Sequence, residues 1–201
     1  MIRIAGMKGC TEFGLKKRGL IIMCADNGVV EEGVTQTGQE VTAAVADNFT
    51  KKAASVAIMC GEAGTDIFPV DIGMVTDVPS VTRLVEKVAY GTKNMAREPA
   101  MTREEAWQAV MTGVHRAEEL KEQGYDILAT GEMGIGNTTT SSAVAAVLLD
   151  RPVEEVTGKG AGLTGKGLER KIQVIKDAIA LHHPEKDDVV DVLAKVGGLD
   201  I

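Results

Sequence analysis

Glu132 stands inside the run Ala129-Thr130-Gly131-Glu132-Met133-Gly134-Ile135-Gly136-Asn137-Thr138-Thr139-Thr140, whose residue types suit the binding of an anion beside a carboxylate. A short apolar stretch enters the run, glycines follow, and hydroxyl side chains lead into an alanine-rich segment. That order reads as the carboxyl end of a parallel strand turning into a helix. Open α/β sheets place ligands outside such strand ends. A helix N-terminus there offers unbonded N–H groups and the positive end of its dipole. Glycines let the backbone approach a ligand, and threonine hydroxyls either cap the helix or meet a phosphate. Capping alone is the structural alternative. Glu132, the one carboxylate inside the turn, is the candidate for acid–base chemistry.

A second cradle runs Gly158-Lys159-Gly160-Ala161-Gly162 and continues through Gly165-Lys166-Gly167, with Lys171 following. Successive backbone amides and a lysine can hold a phosphate; a flexible surface loop is the alternative. Gly160 to Lys166 also matches the phosphate-loop spacing of nucleoside triphosphatases. That match fails at Gly167, which stands where a magnesium-holding Ser or Thr belongs, and Val153-Glu154-Glu155-Val156 is a poor preceding strand. Asp26-Asn27-Gly28 and Asp71-Ile72-Gly73 fall at expected strand ends on the same edge as Glu132, where such carboxylates most often order loops. Gln36, Thr37 and Gln39 follow as weaker contacts. His115, His182 and His183 lack carboxylate or cysteine neighbours at ligand spacing, so solvated positions are expected and no metal site. No cofactor is implied, and no Ser/His/Asp or Cys/His arrangement forms a triad.

The elements that would position these groups follow from the apolar pattern. Leu20 to Ala25 is a continuous apolar run, as in a strand buried on both faces. Residues 65–71 form a second strand, which Pro69 places near an edge or at an irregularity, and Asp126 to Ala129 a third. Helices are expected over 39–60 with a break at Lys51-Lys52, from Thr102 to Gln123, over 138–149, 168–181 and 187–196. The first nineteen residues read as a lead-in loop, 77–99 are ambiguous, and 157–167 are a glycine-rich loop. Alternating strands and helices point to a mostly parallel sheet in one α/β domain spanning 1–201. Three clear strands are few for a doubly wound fold.

Composition narrows the partners. With 22 basic against 29 acidic residues the formal charge is −7, and no basic stripe interleaves with aromatics, so nucleic acid is not expected. No apolar stretch reaches spanning length and no signal pattern opens the chain. Cys10, Cys24 and Cys60 form neither a disulfide framework nor a zinc pattern, and a reduced, cytoplasmic setting is expected.

The motifs taken together resemble the nicotinate-nucleotide:dimethylbenzimidazole phosphoribosyltransferase family, which builds the lower nucleotide loop of cobalamin. The matching pieces are Ala25-Asp26-Asn27-Gly28-Val29, Glu32-Gly33-Val34, Gln39-Glu40-Val41-Thr42, Val70-Asp71-Ile72-Gly73 and Gly91-Thr92-Lys93-Asn94. They continue with Gly131 to Thr139, Glu155-Val156, Gly158 to Leu163, Arg170-Lys171 and Lys195 to Asp200. The resemblance implies a three-layer, Rossmann-like, mostly parallel sheet with flanking helices, and a homodimer. It implies transfer of 5-phosphoribosyl from nicotinate mononucleotide to 5,6-dimethylbenzimidazole. Gly134, Asn137, Thr138, Gly160, Ala161 and Lys171 are implied to meet the ribose phosphate. Glu132, Met133 and Ile135 would line the junction of base and ribose, and Thr37 the mouth of the benzimidazole pocket.

The sequence departs from the family pattern where Asn27 replaces a histidine, Val45 a glutamine and Gly38 a proline. The family's general-base glutamate, near a Gly-Glu-Gly motif, has no counterpart in these residues. The reading is therefore of a truncated member that lacks the C-terminal part of the family fold, with weak or absent turnover alone. A non-catalytic nucleotide-binding module is the alternative, and a phosphate-loop triphosphatase a more remote one.

Overall fold

Leu20, Ile21, Ile22, Cys24 and Ala25 are each less than a tenth exposed, because the strand they form lies in the middle of the sheet. The computed structural model describes residues 2–81 and 87–201. β1 (Arg18–Ala25) is flanked by β2 (Thr65–Gly73) and β3 (Ile127–Met133) in the order β2-β1-β3, parallel on both sides. Arg18 faces Thr65 on one side and Ile127 on the other, so all three carboxyl ends reach one edge. Pro69 pairs opposite Ile22 on outer strand β2, where a missing N–H costs no central ladder bond.

Helices α2 (Glu40–Thr50) and α3 (Ser55–Glu62) connect β1 to β2. They cover the face that carries Leu20, Ile22 and Cys24, with Ala46 and Phe49 buried against it. α4 (Arg103–Glu122) connects β2 to β3 and sets Leu120 against Ile21 and Val70 on the opposite face. A capping box starts α4: the Glu105 N–H donates to Thr102 Oγ1 (3.1 Å) and the Thr102 N–H to Glu105 Oε2 (2.8 Å), satisfying two otherwise orphaned donors. α5 (Asn137–Leu148), α6 (Val153–Val156), α7 (Gly165–His182) and α8 (Val189–Val196) follow β3. They share a core with Ala25, Val29 and Ile72, in which Ile175, Ala178, Val192 and Val196 are fully enclosed. The chain is thus α/β, with a parallel three-stranded sheet between helical layers.

Two expectations are corrected. Within the first nineteen residues, α1 (Ile2–Lys8) is a helix, though none of its residues is buried. Lys8 and the Lys16 and Lys17 N–H groups fasten this segment to Asp126. Val153–Val156, a poor strand by its sequence, is a helical turn, in keeping with that reading. His182 is not solvated: its Nε2 lies 2.7 Å from the Met95 carbonyl oxygen. Part of the ambiguous stretch, 82–86, lies outside the described residues. No helix among the described residues is long and apolar enough to cross a membrane.

Candidate functional site

After β1 the chain leads to α2 on one face of the sheet; after β3 it leads to α5, which packs in the cluster that holds Ala25 and Met23 on the other. The two exits diverge and open a crevice between the ends of β1 and β3. Such a switch point is where open α/β sheets take ligands. The walls are close. A Cβ on Gly136 would come within 3.0 Å of Val30 and 3.1 Å of Asn27. Gly136 itself has φ +97°, the left-handed region that favours glycine, and it caps α5 without any side-chain hydrogen bond. Capping alone therefore does not account for the threonines.

Thr138, in the first turn of α5, has a different partner. Lys171 Nζ donates to Thr138 Oγ1 (2.7 Å) and to the Gly158 carbonyl (3.2 Å). Lys171 lies on the inner side of α7 and is 1% exposed. Among the described residues no carboxylate lies within ion-pair distance of it, and burial lowers its pKa. A buried ammonium held only by neutral oxygens is costly unless an anion joins it. Gly160, at φ +57°, closes the same space: a Cβ there would lie 2.9 Å from Thr138 Oγ1 and 3.7 Å from Lys171 Nζ. The two glycine-rich segments, about twenty residues apart in the chain, thus meet at one ammonium and one helix N-terminus. That arrangement is suited to a phosphate.

The adjacent side of the crevice is less polar. Met133 packs against the α2 side of the core, and the Ile135 N–H donates to Thr42 Oγ1 of α2 (3.1 Å). Glu132 has solvent access along its side chain, yet partial burial of its carboxyl raises its pKa. The neighbouring loop reaches across, with Gln36 Nε2 donating to the Gly162 carbonyl (2.5 Å). Thr37 and Ala161 stand exposed on the two loops that this bond joins. Lys166 is exposed in the first turn of α7, and a helical turn precedes its loop. The strand-loop-helix context of a triphosphatase is therefore missing.

The strand-end aspartates are buried. Asp71 takes the Met74 N–H (2.9 Å) and pairs with Lys87 (3.0 Å). Asp26 takes the Val75 N–H (2.8 Å); burial raises its pKa and that hydrogen bond opposes the rise. Both order loops, as the sequence pattern implies. Among the described residues, no group of three or more His, Cys, Asp or Glu could hold a metal ion.

Sequence reasoning missed two contributors. Thr42 was quoted only as part of the Gln39 to Thr42 motif, with nothing local to relate it to Ile135. Asp200, quoted only as part of a motif, lies beneath the glycine turn and is 4% exposed; nothing local in the sequence relates it to Gly134.

Comparison with known proteins shows the family and the fold. A family profile described as phosphoribosyltransferase matches residues 1–201. A protein of Clostridium tetani named nicotinate-nucleotide–dimethylbenzimidazole phosphoribosyltransferase is 46% identical over 200 residues, covering 100% of this chain and 55% of that protein. One of the same name from Chloroflexus aggregans is 47% identical over 201 residues, covering 57% of its length. The crystal structure of CobT from Thermus thermophilus superposes with a TM-score of 0.90 at 37% identity, over 99% of this chain and 60% of that one. The chain therefore spans just over half the length of the curated relatives it matches.

Proposed function

Since the chain belongs to the phosphoribosyltransferase family, we propose that its crevice holds the 5-phosphoribosyl group of nicotinate mononucleotide for transfer to a benzimidazole-type base. The observation that carries this reading is Lys171, buried beside the N-terminus of α5, which has no side-chain cap, with no carboxylate within ion-pair distance among the described residues. Gly134, Asn137, Thr138, Gly160, Ala161 and Lys171 surround the phosphate and ribose. Met133, Ile135 and Thr37 line the side that receives the base, and Glu132 stands between the two.

Cleaving an N-glycosidic bond builds positive charge on the ribose, and a held phosphate fixes the sugar while that charge develops. The incoming azole nitrogen needs a base. Glu132 is the carboxylate in position, and partial burial raises its pKa, which makes it a stronger proton acceptor than an exposed glutamate. The residues act as one α/β domain, in a cytoplasmic homodimer. The groups proposed to hold the phosphate all lie within these 201 residues, which span just over half the length of the curated relatives.

The test is calorimetry with nicotinate mononucleotide, followed by an assay of nicotinate release with dimethylbenzimidazole. Binding with slow release is the expected result; absence of binding overturns the reading. Binding with no release, even when a full-length relative is active in parallel, identifies a nucleotide-holding module instead. Equal release by wild type and Glu132→Gln removes Glu132 from the mechanism.

A further inference from the structure

Asp200 follows α8 and lies under the turn that carries the proposed phosphate site. Its Oδ2 accepts from Asn27 Nδ2 (3.3 Å), while its Oδ1 is buried without a hydrogen-bond partner. Two glycines press on it. A Cβ on Gly134 would fall 2.2 Å from Oδ2, and a Cβ on Gly198 would fall 2.5 Å from Oδ1 and 2.6 Å from Asn27 Oδ1. The carboxyl is thus boxed between the phosphate turn above and the Gly197-Gly198 turn below. Its neighbours offer acceptors more readily than donors. Asn27 Oδ1 already receives Thr140 Oγ1 (3.4 Å), and Glu132, Asp26 and Cys24 face it from the ends of β3 and β1. Among the described residues, none of the leading influences on it is a cation.

We propose that Asp200 is a positioning residue for phosphate binding: as a neutral acid it forms the floor of the Gly134 turn, and once ionised it sets a negative charge behind the anion site. A proton on the carboxyl gives it a donor among surrounding oxygens, whereas an ionised form leaves a buried acceptor with nothing to accept. Burial, reinforced by Glu132 and Asp26 against its hydrogen bonds to Asn27 and its own N–H, raises its pKa to about 7. The switch therefore falls near neutral pH. Its charge would oppose a phosphate across the single layer of backbone that forms the turn.

The inference rests on the proposed phosphate site, and the experiment separates the two. Nicotinate mononucleotide is titrated by calorimetry into wild type and Asp200→Asn from pH 5.5 to 8.5. In parallel the Asp200 carboxyl is followed by carbon-13 NMR in the ligand-free protein. Asn keeps the shape and supplies an N–H donor but does not titrate. The ligand's own phosphate ionisation is common to both proteins and cancels in the ratio of affinities. Wild-type affinity should fall relative to Asp200→Asn as pH rises through neutrality, on the order of tenfold, the scale of an opposed unit charge at a protein surface. Parallel pH profiles, or a carboxyl that titrates in the ordinary range, overturn the role of Asp200 and leave the site standing. Absence of binding by wild type at every pH overturns both. Asp200→Asn that denatures at the wild-type temperature and still shows parallel profiles counts against the proposal rather than against the variant.

Discussion

Replacing Lys171 by methionine separates function from folding more sharply than any other change in this chain. Lys171 is 1% exposed, and among the described residues its ammonium donates only to Thr138 Oγ1 and the Gly158 carbonyl. Methionine keeps the straight stem that α7 buries, removes the charge, and leaves Thr138 its hydroxyl. Gly158 is exposed, so water can replace the lost donor. Two neutral-acceptor hydrogen bonds are lost while the desolvation of an unpaired cation is relieved, so the free protein should change by no more than about 1 kcal/mol in either direction.

The ligand-bound state has no such compensation. A charge-assisted bond to phosphate contributes roughly 1.5–3 kcal/mol, so affinity for nicotinate mononucleotide should fall about 10- to 100-fold. The same variant has a pH signature. Burial lowers the folded-state pKa of Lys171 from 10.5, so the unfolded chain binds that proton more tightly. Wild-type stability should therefore rise relative to Lys171→Met as pH climbs from the lowered folded value towards 10.5, the penalty being fully present below the folded value. Urea unfolding at several pH values and calorimetry at two salt concentrations measure all three effects. Affinity within threefold of wild type would refute the phosphate assignment; destabilisation beyond about 3 kcal/mol would mark Lys171 as a structural residue.

Other substitutions test the surrounding frame. Gly134→Ala places a methyl group 2.2 Å from Asp200 Oδ2 and 2.3 Å from the Ala25 carbonyl; with backbone on one side the strain should cost about 1–3 kcal/mol in urea unfolding and weaken nucleotide binding as well. Thr102→Ala removes one half of the α4 capping box and should cost about 1 kcal/mol of stability with nucleotide affinity unchanged. Lys166→Ala removes a cation exposed in the first turn of α7; affinity for the mononucleotide should stay within about threefold, and no magnesium-dependent ATP or GTP hydrolysis should be present for it to abolish. A large loss on Lys166→Ala would move the phosphate site towards the start of α7.

The sequence by itself determined most of the frame. Continuous apolar residues marked β1 as buried on both faces, Pro69 put β2 near an edge or an irregularity, and Thr102 with Glu105 started α4, because local pattern and local hydrogen bonding decide those features. Both glycine-rich segments and Lys171 were also legible as anion-holding chemistry, since glycine spacing and a lysine are local signals. What local pattern could not supply was contact between distant segments. That Lys171 is buried rather than solvated depends on α7 packing its inner side onto α5. That Thr138 serves Lys171 rather than capping its own helix depends on Gly158 and Gly160 arriving beside it. Asp200 acquires its meaning only when the turn after α8 slides beneath Gly134, and Thr42 only when α2 crosses the end of β3. The chain encodes its chemical groups locally, but their charge states and partners are set by which low-dielectric surroundings the tertiary fold closes around them.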